Sequence, residues 1–129
     1  MNILDENVLE SQRQLLGRWR VPVRQIGHDV GRKGMADAEI IPFLLTLSRA
    51  TFFTMDWDYY RQKLVHAEYC LVFLDVSRTE AAAFIRRLLH HSEFDTSLKR
   101  MGHVIRVSAM GLVTWQLRVE REARFDWVG

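Results

Sequence analysis

One cysteine, two prolines and no long apolar run are what this 129-residue chain has least of, and each scarcity excludes something. Cys70 alone cannot form an internal disulfide, and a lone thiol in an apolar run fits a small core residue in a reducing cytoplasm. Two prolines and seven glycines are too few for a disordered or linker-rich chain. No apolar stretch approaches the length needed to cross a bilayer, so no membrane partner is expected. The opening Met1-Asn2-Ile3-Leu4-Asp5 has no basic segment and no small-residue cleavage site, so no secretory signal is expected. A strong excess of one charge is also missing: the net charge is +2, weak support for a nucleic-acid partner. No C-x-x-C or H-E-x-x-H spacing points to zinc, and His90-His91 reads as a solvated helix end. Gly27, Gly31 and Gly34 do not make a nucleotide-binding G-x-G-x-x-G, and Ser48, Ser77 and Ser92 lack adjacent acid and histidine partners for a triad.

What is present is an ordinary globular composition, 48% hydrophobic and 26% charged, long enough for one domain over 1–129 with a real core. The kind of basic residue is less ordinary: 15 of the 18 are arginine, whose fork binds phosphate oxygens and stacks on bases. The patterning predicts strands at Met1–Leu4, Val21–Ile26, Thr51–Thr54 and Cys70–Leu74. It predicts helices over Asn7–Arg18, Asp37–Leu47, Asp56 to about Val65, Thr79–His90 and Thr96–Met101, with Asp37 as a cap. A hairpin is expected from His103–Ala109 and Leu112–Val119 around Met110-Gly111, with Val113, Trp115, Leu117 and Val119 sharing one face. The charged tail from Glu120 is expected to fray, although Phe125 and Trp127 are able to dock on a neighbour. Strand–helix alternation implies right-handed crossovers. The expected fold is a three-layer α/β sandwich with a mainly parallel sheet and a C-terminal antiparallel hairpin at its edge.

The chemistry lies in acids placed where strands or loops turn into helices. They are Asp5 and Glu6, Asp37 and Glu39, and Asp56 and Asp58. Ligands of open α/β sheets bind outside the carboxyl ends of the strands. Carboxylates gathered there repel unless a proton or cation sits between them, and a hard divalent ion prefers oxygen ligands. Two such ions stabilise the attacking and leaving oxygens of a phosphodiester and lower the pKa of bound water. Each acid alone is equally a helix cap worth about 1 kcal/mol. Asp37 is the most cap-like, whereas Asp5-Glu6-Asn7 and the Asp56/Asp58 pair supply more polar groups than capping needs. Arg32 and Lys33 lie where they can touch a phosphate backbone, or simply form a charged loop. Trp57, between two acids, either stacks on an unpaired base or packs on its neighbours.

Taken in order, Leu4-Asp5-Glu6-Asn7, Gly27-His28-Asp29-Val30, Gly34-Met35-Ala36-Asp37-Ala38-Glu39-Ile40 and Thr54-Met55-Asp56-Trp57-Asp58-Tyr59 resemble the PIN-like proteins of prokaryotes. The branch is the one related to VapC toxins that opens with an L-D-E-N stretch. The resemblance covers essentially the whole chain and implies a magnesium- or manganese-dependent ribonuclease, possible toxin of a toxin–antitoxin pair. It implies that Asp5, Asp37, Asp56 and Asp58 are catalytic metal ligands. Thr54 would orient a ligand or water, and Glu6 and Glu39 would be further ligands or partners of the ligands. RNA, a cognate antitoxin and a second copy of the chain are the implied partners. The family often has glutamate in the second region, so the choice between Asp37 and Glu39 stays open there. It usually has phenylalanine where Tyr59 stands, read here as core packing. The competing class is a catalytically inactive PIN-like binding or interaction module.

Overall fold

Short apolar runs rich in β-branched and aromatic residues form seven strands in the computed structural model, which describes residues 1–127. The strands are β1 (Asn2–Leu4), β2 (Arg24–Gln25), β3 (Ala50–Thr54), β4 (Tyr69–Leu74), β5 (His103–Ser108), β6 (Gly111–Gln116) and β7 (Ala123–Phe125). One sheet holds them in the order β2-β1-β3-β4-β5-β6-β7. The first five are parallel, while β6 and β7 run antiparallel. The fold is therefore α/β on a mixed, mostly parallel sheet. None of the described helices is long and apolar enough to cross a membrane.

β3 and β4 are buried along their whole length, as strands covered on both faces must be. Alternation sorts their side chains into two clusters. Leu4, Phe53, Val72, Ile105 and Val107 meet α1 (Glu10–Arg18) and α3 (Ala81–His90) on one face. Ile3, Phe52, Leu71 and Val104 meet Ile40 and Leu44 of α2 (Asp37–Leu45) on the other. Buried Gln12 ties the first pair of helices together by accepting from the Ala82 N–H at 2.9 Å.

Several expectations need correction. Asp56–Val65 is not a helix but two short 3-10 turns, Trp57–Tyr59 and Gln62–Leu64, separated by extended backbone at Arg61. Tyr59 and Tyr60 are both buried, and Tyr60 leaves the helical region with φ −89° and ψ 80°. Asp37 is not a cap: Ala36 holds that position and Asp37 is the first helical residue. β6 stops at Gln116 because Arg118 takes a positive φ of 65°, and Leu117 and Val119 are exposed rather than sharing the face of Val113 and Trp115. The tail does not fray along its described length. β7 pairs with β6 and becomes the edge, and Phe125 and Trp127 pack on this chain's own core. The Trp127 indole N–H donates to the Ser108 carbonyl at 2.7 Å.

Candidate active site

Parallel register brings the first acid and its partner together. Leu4 pairs with Phe53, so Asp5 and Thr54 come next on adjacent strands and project to the same face. The Thr54 hydroxyl donates to Asp5 Oδ2 at 2.7 Å and accepts from the Asp56 N–H at 3.0 Å. One buried hydroxyl thus fixes both strand-end acids. Asp5 and Asp56 line a cleft of about 450 Å³ with Asn7, Met55 and Arg78. Burial pushes the Asp5 carboxyl above its ordinary range. The Thr54 hydroxyl and the Glu6 N–H oppose that rise, and the charges of Asp56 and Asp37 add to it.

Asp37 approaches from α2, which covers the face that Asp5 and Thr54 share. Its Oδ1 accepts from the Tyr59 hydroxyl at 3.3 Å rather than from a backbone N–H. The Tyr59 ring does pack in the core, edge-on to Phe52 at 5.3 Å, but its hydroxyl faces acids. Burial, then the charges of Asp37, Asp5 and Asp56, push that phenol upward, so it stays a proton donor.

The remaining acids are otherwise engaged. Asp56 Oδ1 accepts from the Asp58 N–H at 2.9 Å and so caps the 3-10 turn. Asp58 points outward and pairs with Arg61 at 3.2 Å. Glu39 performs the capping first expected of Asp37, accepting from the Ala36 N–H at 3.1 Å, and it also pairs with Arg32. Glu6 holds the glycine loop by accepting from the Gly34 N–H at 2.9 Å. Lys33 is exposed on that loop. Trp57 is 57% exposed and touches Phe73 edge-on at 6.0 Å. Among the described residues, no three His, Cys, Asp or Glu side chains come together as a finished chelate. The carboxylates on the cleft are Asp5 and Asp56, the latter with Oδ1 already bonded to the Asp58 N–H, and magnesium commonly uses one or two carboxylates and keeps its waters.

Sequence reasoning missed three residues here. Gln25, 6% exposed, sends its amide to the carbonyls of Val8 at 2.8 Å and Asp5 at 3.0 Å, bracing the turn that carries Asp5. A polar residue inside the run Val21–Ile26 was the available signal. Arg78 sets a cation on the wall of the acidic cleft, on the turn after β4. Asp75 follows β4 as Asp5 follows β1, but Arg106 forks it at 2.7 and 3.1 Å. Comparison with family models, curated proteins and solved structures finds no match for this chain.

Proposed function

We propose that the protein is a metal-dependent ribonuclease of the PIN-like kind. Its finer architecture is then a PIN-like three-layer sandwich, a reading supported by apolar clusters on both faces of the sheet. The observation that carries the proposal is the Thr54 hydroxyl joining the Asp5 carboxylate to the Asp56 backbone N–H beside a cleft at the carboxyl ends of parallel strands. A capping role does not explain Asp5, whose carboxylate is raised by burial and by neighbouring acids. In this reading a magnesium or manganese ion, held by Asp5 and Asp56, supplies Lewis acidity and an activated water. Thr54 orients Asp5, and Tyr59 positions Asp37 at the cleft's edge. Arg78 draws the phosphate of an RNA strand toward the acids, and exposed Trp57 offers a ring to an unpaired base. Lys33 is free to touch backbone, whereas Arg32 must first leave Glu39. Asp58 enters the ligand set only by leaving Arg61. The proposal extends to a toxin role with a cognate antitoxin or a second copy as partner.

The test is cleavage of a mixed RNA pool with manganese by wild type and Asp5→Asn. Wild type should cleave and the variant should not; equal behaviour rejects the enzyme. One observation favours a second reading, a PIN-like interaction module without catalysis: Asp56, Asp58 and Glu39 each already have a structural partner. In that case manganese leaves the melting temperature of both proteins unchanged.

A further inference from the structure

The opposite end of the sheet carries a buried arginine with no acid bonded to it. Arg100, in α4 (Ser97–Arg100), is 5% exposed. Its Nε donates to Thr51 Oγ1 at 3.0 Å and its Nη1 to the Phe94 carbonyl at 2.8 Å. Both acceptors are neutral, and among the described residues Arg100 makes no ion pair. The nearby Asp95 carboxylate is held by Lys99 at 2.9 Å. Buried charges are normally paired. Here the guanidinium is aimed by two hydrogen bonds to neutral acceptors, and Asp95 acts on its charge from nearby without bonding it.

Arg100 lines a cavity of about 390 Å³ whose other walls include Asn2, Val23, Arg24 and Ser97. No acid is among the lining residues. Arg24 opens β2 with its side chain exposed, and Ser97 adds a hydroxyl. Two guanidinium groups suit the tetrahedral oxygens of phosphate. The space exceeds one phosphate and is in the range of small-molecule pockets.

We infer that this cavity is a binding site for a small phosphomonoester, with Arg100 and Arg24 gripping its phosphate and the remaining space taking its organic part. The site lies away from Asp5 and Asp56 and does not depend on the nuclease proposal.

The experiment is thermal denaturation of the full chain in EDTA, titrated with inorganic phosphate, adenosine 5′-monophosphate or adenosine, with chloride matching the ionic strength. The melting temperature should climb with the logarithm of phosphate or of the monophosphate, but not with adenosine or chloride. Response to the monophosphate alone would place recognition in its organic part as well; response to both assigns it to the phosphate. Arg24→Gln, at an exposed position, should weaken the apparent affinity at least threefold. Asp5→Asn should leave it unchanged. Arg100→Lys should abolish it; if that variant fails to fold, Ser97→Ala, expected to weaken binding twofold or more, takes its place. No shift beyond chloride overturns the inference. So does a shift that survives Arg24→Gln but is lost in Arg78→Gln, which would move the anion to the acidic cleft.

Discussion

The two ends of the parallel sheet face opposite electrostatic problems. At the carboxyl ends, Asp5 and Asp56 share one hydroxyl, with the Asp37 charge close by and no cation bonded to either among the described residues. At the amino ends, Arg100 and Arg24 line a cavity that has no acid. Several other acids are matched: Asp75 with Arg106, Asp58 with Arg61, Glu39 with Arg32, Asp95 with Lys99. The contrast teaches that the two ends of one sheet gather buried charge of opposite sign beside concave places. A folded chain keeps such charge at a cost, and the natural compensation is a ligand of opposite sign.

The largest effect is expected from removing the central acid. Asp5→Asn should lower manganese-dependent RNA cleavage by more than the roughly 10- to 100-fold that losing a ligand's supporting partner costs. It should also raise the melting temperature in EDTA. The sign follows from the raised carboxyl: folded-state affinity for the proton exceeds that of the unfolded chain. The wild type is therefore favoured below the ordinary carboxylate pKa of about 3.9 and loses that advantage as pH rises through the folded value. The gain from Asp5→Asn should thus grow from acid toward neutral pH, and a pH series of thermal melts checks it. A gain independent of pH would break the contrast between the two ends.

Next comes the brace under Asp5. Gln25→Ala leaves the carbonyls of Asp5 and Val8 without their amide donor in a buried place. The expected loss is about 1–3 kcal/mol, read by urea denaturation. Cleavage should fall with it, because the turn holding Asp5 loosens.

Much of this was legible in the sequence, and the rest was not for definite reasons. β3 and β4 announce themselves because strands buried on both faces are continuous apolar runs. Asp5 and Asp56 are legible because an acid follows each run. Their union through Thr54 is not, since it depends on parallel register, which is a long-range property. The 3-10 turns after Asp56 were hidden because Trp57, Tyr59 and Tyr60 suggest apolar helical spacing, whereas Trp57 is exposed and the burial of Tyr59 comes from packing on Phe52 of β3. β7 was hidden because Glu120, Arg121 and Glu122 look like a solvated tail, whereas Phe125 and Trp127 pull the segment onto β6 and α3. The arginine cavity left no sequence signal, because Arg24 is distant in the chain from Ser97 and Arg100 and none sits in a motif.

A smaller effect is expected at the hydroxyl between the acids. Thr54→Val keeps the shape but removes the donor to Asp5 and the acceptor of the Asp56 N–H. The hydroxyl holds the Asp5 carboxyl down against burial, so without it the carboxyl rises further. Cleavage should then need a higher pH: the acid limb of the rate profile moves up, and most of the rate returns above it. A uniform drop at all pH values would mean that Thr54 only supports the backbone.

The smallest effect separates the resemblance from the geometry. By resemblance Asp58 is a ligand equal to Asp56, yet its side chain is 66% exposed and pairs with Arg61 within the same turn. Such surface pairs contribute about 0–1 kcal/mol. Asp58→Asn should therefore shift the urea midpoint little and leave manganese-dependent cleavage within about twofold of wild type, well short of one tenfold step per 1.4 kcal/mol. Arg61→Gln gives the complementary reading, because freeing Asp58 without deleting it should be equally quiet. If Asp58→Asn instead loses cleavage as Asp5→Asn does, while Arg61→Gln gains it, the carboxylate swings from Arg61 into the cleft when an ion arrives. The acidic end would then be a site completed by its ligand, and the arginine end the only one of the two built in advance.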